Sequence, residues 1–129
     1  MNIVIATPQS GELDDFIRAL ESKPDVTVHR SLDAASTLEA VRRNRPGLVV
    51  ADARLDDNDG VGLVQDIIGI DAMACIALVS DLPDQQFHDV TEGLGLLMQV
   101  PVVAGKEEAD ALWAYFCQVS GTPQADAGP

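Results

Sequence analysis

The chain has few basic and few aromatic residues. It contains 8 lysines and arginines against 21 aspartates and glutamates among 129 residues, which gives a net charge of −13. A surface this acidic repels phosphate backbones and anionic lipids, so we expect no nucleic-acid and no membrane binding. Aromatic residues make up only 4% of the chain and hydrophobic residues 47%. The core must therefore be built mainly from valine, leucine, isoleucine and alanine.

The chain also lacks the patterns of secreted, metal-binding and membrane-spanning proteins. Its cysteines, Cys75 and Cys117, lie far apart and belong to no C-x-x-C motif, which favours reduced, packed thiols over a disulfide or a metal site. No apolar run reaches the length of a membrane span, and the first residues lack the basic flank of a signal peptide. We therefore expect a cytoplasmic protein, and the length predicts one domain.

Short apolar runs alternate with helical patterns along the chain. Strands are predicted at residues 3–6, 26–29, 48–51, 75–79 and 96–100, and apolar residues at helical spacing follow each strand. This alternation predicts an α/β protein, with a five-stranded parallel sheet wound on both faces by about five helices. The domain is assigned to residues 1–120, and residues 121–129 are predicted to form a flexible tail. Ser31 is predicted to cap the second helix.

Asp52 is the first candidate for chemistry. It follows Leu48-Val49-Val50-Ala51, an apolar run typical of a strand buried on both faces. In open α/β sheets, ligands and reactive groups collect just beyond the carboxyl ends of the strands. An aspartate after a strand also commonly bonds a turn amide or caps the next helix. Position alone leaves both interpretations open.

Residues 45–60, Arg-Pro-Gly-Leu-Val-Val-Ala-Asp-Ala-Arg-Leu-Asp-Asp-Asn-Asp-Gly, resemble the third strand and following loop of a response-regulator receiver domain (CheY-like). Asp56 stands where that family usually has proline. The resemblance covers about residues 1–120 and implies a flavodoxin-like fold with Asp52 as the phosphoacceptor. It also implies two-component (phosphorelay) signalling with a histidine kinase as partner, and a signalling role rather than an enzymatic one.

The resemblance assigns further residues to phosphate and Mg²⁺ binding. Ser80 matches the Ser/Thr that bonds the phosphoryl group, and the backbone carbonyl of Arg54 matches a Mg²⁺ ligand beside Asp52. An ungapped alignment of residues 93–101 puts Val100 at the position of the family's lysine and Leu97 at that of its aromatic switch residue. With a longer interval, Lys106 would contact the phosphate instead. Val100 is the better match, and Lys106 is predicted to open the last helix.

Receivers place a pair of acids after the first strand, and this chain does not. Ala6, Thr7, Pro8 and Gln9 occupy that loop, and the first acid is Glu12, which is predicted to lie inside the first helix. Mg²⁺ in proteins is usually held by one or two carboxylates together with water and phosphate oxygens. We therefore expect Asp52 alone to bind Mg²⁺ poorly.

Three functional hypotheses follow. The first is a stand-alone degenerate receiver, a monomer or homodimer that acts through contacts with a histidine kinase or another signalling protein. The second is a working receiver phosphorylated on Asp52. The third is a flavin or nucleotide binder, based on the loop Thr7-Pro8-Gln9-Ser10-Gly11, where hydroxyls, a glycine and a helix N-terminus can cradle an anion. In the last helix, Trp113 and Phe116 are predicted to be core residues and Tyr115 to be an exposed contact.

Overall fold

Five short segments form one parallel sheet. The computed structural model describes residues 1–8 and 11–121, so most of the tail predicted for residues 121–129 lies outside the described residues. The strands are β1 (Asn2–Ala6), β2 (Thr27–Ser31), β3 (Leu48–Asp52), β4 (Cys75–Val79) and β5 (Met98–Val100). Their order in the sheet is β2-β1-β3-β4-β5, which is the flavodoxin-like order, and the predicted fold class is confirmed.

Helices cover both faces of this sheet. The helices are α1 (Asp14–Glu21), α2 (Ala34–Asn44), α3 (Val61–Ile70), α4 (Asp84–Thr91) and α5 (Lys106–Ser120). Alternate residues of a strand point to opposite faces, so Ile3 and Ile5 pack toward α1 and α5, whereas Val4 packs toward α2, α3 and α4. None of the helices in the described ranges combines the length and apolar character needed to cross a membrane.

Two local predictions about helix starts are wrong. Ser31 is the last residue of β2, and α2 is instead capped by Asp33, whose carboxylate accepts a hydrogen bond of 2.7 Å from the backbone N–H of Ser36. The bonds to Ser36 also lower the pKa of Asp33. Glu12 lies in the turn before α1, because that helix begins only at Asp14.

The fifth strand is shorter than predicted. Gly95 has φ of +69°, a conformation that turns the chain and that side-chain-bearing residues rarely adopt. Regular pairing with β4 begins only at Met98, opposite Ala77. In α5, Trp113 and Phe116 are buried in the core and Tyr115 is exposed, as the helical pattern predicts.

Candidate functional site

The carboxyl ends of the strands bring four of the singled-out residues to one edge of the sheet. Asp52 is the last residue of β3, Thr7 follows β1, Ser80 follows β4, and Val100 ends β5. Because β3 pairs with both β1 and β4, Asp52 lies at the centre of this edge. Its side chain is 0% exposed. A carboxylate buried to this extent requires partners within the protein.

Those partners are Arg54 and Thr7. A 3₁₀ turn, Ala53–Leu55, follows β3, and the Asp52 carboxylate caps it by accepting a hydrogen bond of 3.0 Å from the Arg54 backbone N–H. The Arg54 side chain folds back over the same carboxylate, with Nε 3.0 Å from Oδ1 and Nη2 2.7 Å from Oδ2. The Thr7 hydroxyl donates to Oδ2 at 2.9 Å. Both oxygens of Asp52 are therefore occupied.

Arg54 also binds a second acid. Its Nη1 donates to Oε1 of Glu12 at 2.6 Å, so the guanidinium bridges the acid at the end of β3 and the acid in the turn before α1. Hydrogen bonds to Asp52 first, and then to Glu12, raise the pKa of Arg54 above its ordinary value. This guanidinium remains a cation at any pH at which the protein is folded.

The donors around Asp52 do not fit Mg²⁺. A hard divalent cation needs oxygen ligands with free lone pairs in near-octahedral geometry, but the Arg54 guanidinium already lies on the carboxylates of Asp52 and Glu12. In residues 1–8 and 11–121, no group of three or more His, Cys, Asp or Glu side chains is arranged to hold a metal ion. That the Arg54 carbonyl is a Mg²⁺ ligand stays a prediction.

Ser80 lies on the neighbouring strand and is nearly buried. Its Oγ accepts a hydrogen bond of 3.1 Å from the backbone N–H of Leu82, so the hydroxyl caps the loop between β4 and α4. The amide of Gln99 donates to the carbonyls of Ser80 at 3.1 Å and Leu82 at 2.9 Å. The last strand thus holds this loop in place through the Gln99 side chain and through the Val100 carbonyl, which accepts a hydrogen bond of 3.0 Å from the Ser80 N–H.

The two candidates for the lysine position lie in different environments. Val100 is buried at the end of β5, followed by Pro101. Lys106 is the first residue of α5, as predicted; its side chain is exposed and its ammonium pairs with Asp110 rather than with Asp52. Arg54 is therefore the cation that the structure brings to Asp52.

The loop after Asp52 is shaped by Asp56 and Gly60. The Asp56 carboxylate accepts a hydrogen bond of 2.9 Å from the backbone N–H of Gly62 in the first turn of α3. The N-terminal end of a helix carries a partial positive charge and therefore stabilises a carboxylate. Gly60 has φ of +86°, and a Cβ there would lie 2.7 Å from Cδ1 of Leu78 and 3.1 Å from Cα of Ala53. Only glycine fits between the loop and β4 without displacing either.

Sequence reasoning missed the roles of the Arg54 side chain and of Glu12. A local signal existed for Arg54, because an arginine two residues after a strand-ending aspartate can fold back over a 3₁₀ turn and bind it bidentately. No comparable signal existed for Glu12, which meets Arg54 only through the packing of α1. The Thr7 hydroxyl predicted for an anion cradle is engaged by Asp52, and Gln9 and Ser10 of that loop lie outside the described residues.

No protein-family model matches this sequence, and no curated protein sequence does. Solved structures match it over nearly its whole length. A CheY-like receiver domain protein from Methanospirillum hungatei JF-1 is 14% identical with a TM-score of 0.77, covering 95% of this chain and 98% of that one. The signal receiver domain of an HD domain-containing protein from Pseudomonas fluorescens Pf-5 is 19% identical with a TM-score of 0.78, at 95% and 98% coverage. The chain has the receiver fold.

A third similar structure is a LuxR-family two-component response regulator from Aurantimonas sp. SI85-9A1, which is 20% identical with a TM-score of 0.74. The match covers 93% of this chain and 85% of that one. Within the receiver fold, Asp52 ends the central strand β3 and Ser80 ends its neighbour β4. Two features differ from the receiver pattern: the loop after β1 lacks the paired acids, and the Arg54 guanidinium lies on the Asp52 carboxylate.

Proposed function

We propose that this chain is a receiver-type signalling domain of a two-component system that works through protein–protein contacts without Mg²⁺-dependent phosphorylation of Asp52. The observation that carries the proposal is the occupied carboxylate: Asp52 is fully buried, and both of its oxygens accept hydrogen bonds from Arg54 or Thr7. To attack a phosphodonor, one of these oxygens would have to leave its partners and reach the surface.

Electrostatics supports the same conclusion. Phosphoryl transfer depends on cations that neutralise the oxygens of the transferred group. Arg54 is a cation at the site, but its guanidinium is already bound by Asp52 and Glu12. Val100, at the position aligned with the family's lysine, is apolar and buried. A transferred group would therefore meet two acids and no uncommitted cation among these residues.

The partner class is a histidine kinase or another signalling protein. This follows from the receiver fold together with the survival of Asp52 and Ser80 at the ends of β3 and β4. If contact rather than phosphorylation is the function, a kinase that binds the chain should bind Asp52→Asn with the same Kd. A much weaker complex with Asp52→Asn would contradict this part of the proposal.

The central experiment is incubation of the purified chain with acetyl phosphate and MgCl₂, followed by intact mass measurement. We expect no added phosphoryl group in the wild type, and Asp52→Asn serves as the control for addition elsewhere. Rapid Mg²⁺-dependent addition of one phosphoryl group, absent in Asp52→Asn, would instead establish a working receiver. Micromolar binding of a flavin in a fluorescence titration would favour the third hypothesis.

A second measurement tests the role given to Arg54. Titration with MgCl₂, followed by NMR shifts of the backbone amides near residue 52, should show no saturable binding in the wild type. Arg54→Ala uncovers the carboxylates of Asp52 and Glu12, so weak, saturable Mg²⁺ binding should appear in that variant. Equal Mg²⁺ binding by both proteins would show that the guanidinium does not exclude the metal.

A further inference from the structure

Two arginines at the opposite edge of the sheet, Arg42 and Arg45, have no acid partner among the described residues. Six of the eight lysines and arginines form ion pairs in the described part of the chain: Arg18, Lys23, Arg30, Arg43, Arg54 and Lys106. Arg42 and Arg45 form none with any described residue. A chain with 21 acids offers carboxylates to most of its cations, so two adjacent exposed arginines without one are unusual.

Arg42 and Arg45 also line the same cleft. It lies between the C-terminal ends of α2 and α3, next to the starts of β3 and β4, and has a volume of about 510 Å³. Its other lining residues are Val41, Gly69, Ile70 and Asp71. The cleft therefore combines two guanidinium groups with apolar side chains.

The one acid in this lining, Asp71, has one of its oxygens bound by the backbone and forms no ion pair with Arg42 or Arg45. An oxygen of Asp71 accepts a hydrogen bond of 3.0 Å from the backbone N–H of Met73. Met73 itself is 89% exposed, the most exposed of the large hydrophobic side chains described. An exposed, flexible methionine is a common feature of protein-binding surfaces.

The position of these arginines at the end of α2 does not account for both of them. Positive charge near a helix C-terminus interacts favourably with the helix dipole, and Arg42 and Arg43 both lie in the last turn. Arg43 serves that role while paired with Glu39 at 3.2 Å. Arg42 and Arg45 face the cleft with their charges unpaired by any described residue, so their charge is available to an external anion.

We propose that this cleft is a docking site for a carboxylate-rich segment of a partner protein. Guanidinium groups bind carboxylates through paired hydrogen bonds, and the apolar lining together with Met73 would contact an apolar side chain within the segment. Nucleic acid and anionic membranes fit less well, because the chain's net charge of −13 repels a long polyanion far more strongly than a short segment with a few carboxylates. The proposal rests on a different observation from the Asp52 site and does not depend on it.

The test is an NMR titration of the ¹⁵N-labelled chain with an acetylated, amidated peptide, Gly-Glu-Glu-Leu-Glu-Glu-Gly. We expect saturable shifts of amides at residues 41–45 and 69–73, and weaker binding as salt is raised. The double variant Arg42→Gln/Arg45→Gln should weaken binding on the order of tenfold. The double variant Arg18→Gln/Arg43→Gln is the matched control, since it also removes two positive charges, from exposed arginines that do not line the cleft, and it should bind nearly as the wild type does.

Each alternative gives a distinct result that overturns the proposal. No shifts at these residues, or equal weakening by Arg18→Gln/Arg43→Gln, would mean that the cleft does not recognise carboxylates. Equal shifts with acetate at the same carboxylate concentration, or with the peptide carrying glutamine in place of glutamate, would mean that no acidic segment is selected. The same shifts on raising protein concentration alone would identify a second copy of the chain as the occupant.

Two controls keep the result interpretable. The replaced arginines are exposed, so both variants should fold, and a urea unfolding midpoint close to that of the wild type checks this. Asp52→Asn should bind the peptide as the wild type does. The outcome at the cleft therefore stays separate from the outcome of the phosphorylation experiment.

Discussion

At the carboxyl edge of the sheet, Arg54 lies against a fully buried carboxylate, whereas at the amino edge Arg42 and Arg45 line a cleft without an ion pair to any described residue. The difference follows from burial. A buried carboxylate without a partner costs several kcal/mol, so Asp52 has to be matched within the fold. An exposed guanidinium is satisfied by water and needs no acid. The buried charge of Asp52 is thus matched within the fold, and the opposite edge has two arginines that form no ion pair with a described residue.

Removal of Arg54 is the most direct way to break this comparison. In Arg54→Ala, the buried Asp52 keeps Thr7 and a backbone amide but loses its cation, so we expect a loss of about 2–4 kcal/mol in the free energy of unfolding. Urea unfolding at neutral pH measures it. The double variant Arg54→Ala/Asp52→Asn removes the buried charge as well and should recover part of the loss. A change below about 0.5 kcal/mol in Arg54→Ala, as for ordinary surface substitutions, would show that the pair is unimportant.

Two glycines, one near each end of α3, sharpen the comparison. Gly60→Ala places a Cβ against Leu78 and Ala53 at a positive φ, so it should destabilise the fold by about 1–3 kcal/mol. Gly69→Ala adds a methyl group with no atom within 4 Å, and in a helix it should stabilise by about 0.5–1 kcal/mol. Thermal unfolding should therefore show a lower midpoint than the wild type for Gly60→Ala and a higher midpoint for Gly69→Ala. A neutral Gly60→Ala would mean that the loop after Asp52 can shift away from β4.

The smallest predicted effect concerns Asp110 and its two cations, of which Lys106 is exposed and Lys23 is largely buried. Asp110 binds Lys106 and Lys23, which ties α5 to the end of α1, and bonds to Lys106 first and then Lys23 lower its pKa below 3.8. A lowered folded-state pKa contributes stability that is present above the unfolded value of 3.8 and is lost as the pH falls through the folded value. Urea unfolding between pH 7 and pH 3 should therefore show that the free energy of unfolding falls less with decreasing pH in Asp110→Asn than in the wild type.

Lys106→Met distinguishes the contributions of the two cations to the lowered pKa of Asp110. Because the Lys106 hydrogen bond is the larger cause of the lowered pKa, this variant should remove more of the pH dependence than Lys23→Met does. If the free energy of unfolding falls equally between pH 7 and pH 3 in the wild type, Asp110→Asn and Lys106→Met, the ion pairs of Asp110 contribute nothing to stability in acid.

Local patterns were sufficient for the fold. The alternation of apolar strands with helical spacing predicts five parallel strands and five helices, because both periodicities are properties of neighbouring residues. The same patterns predict Trp113 and Phe116 as core and Lys106 as the start of α5. They do not distinguish Ser31 from Asp33 as the cap of α2, since both types cap helices and the choice depends on where β2 ends.

The sequence by itself determined the fold class, the position of Asp52 at the end of a buried strand and the absence of an acidic pair after β1. Only the tertiary structure decided that Glu12 joins Arg54, because these two residues, 42 positions apart, meet only after β1 has paired with β3. It also decided which arginines form no ion pair with a described residue, since ion pairs depend on distances between side chains that chain order does not specify. Asp52 and its contact with Arg54 therefore have local signals in the sequence, but the bridge from Arg54 to Glu12 is a result of the packing.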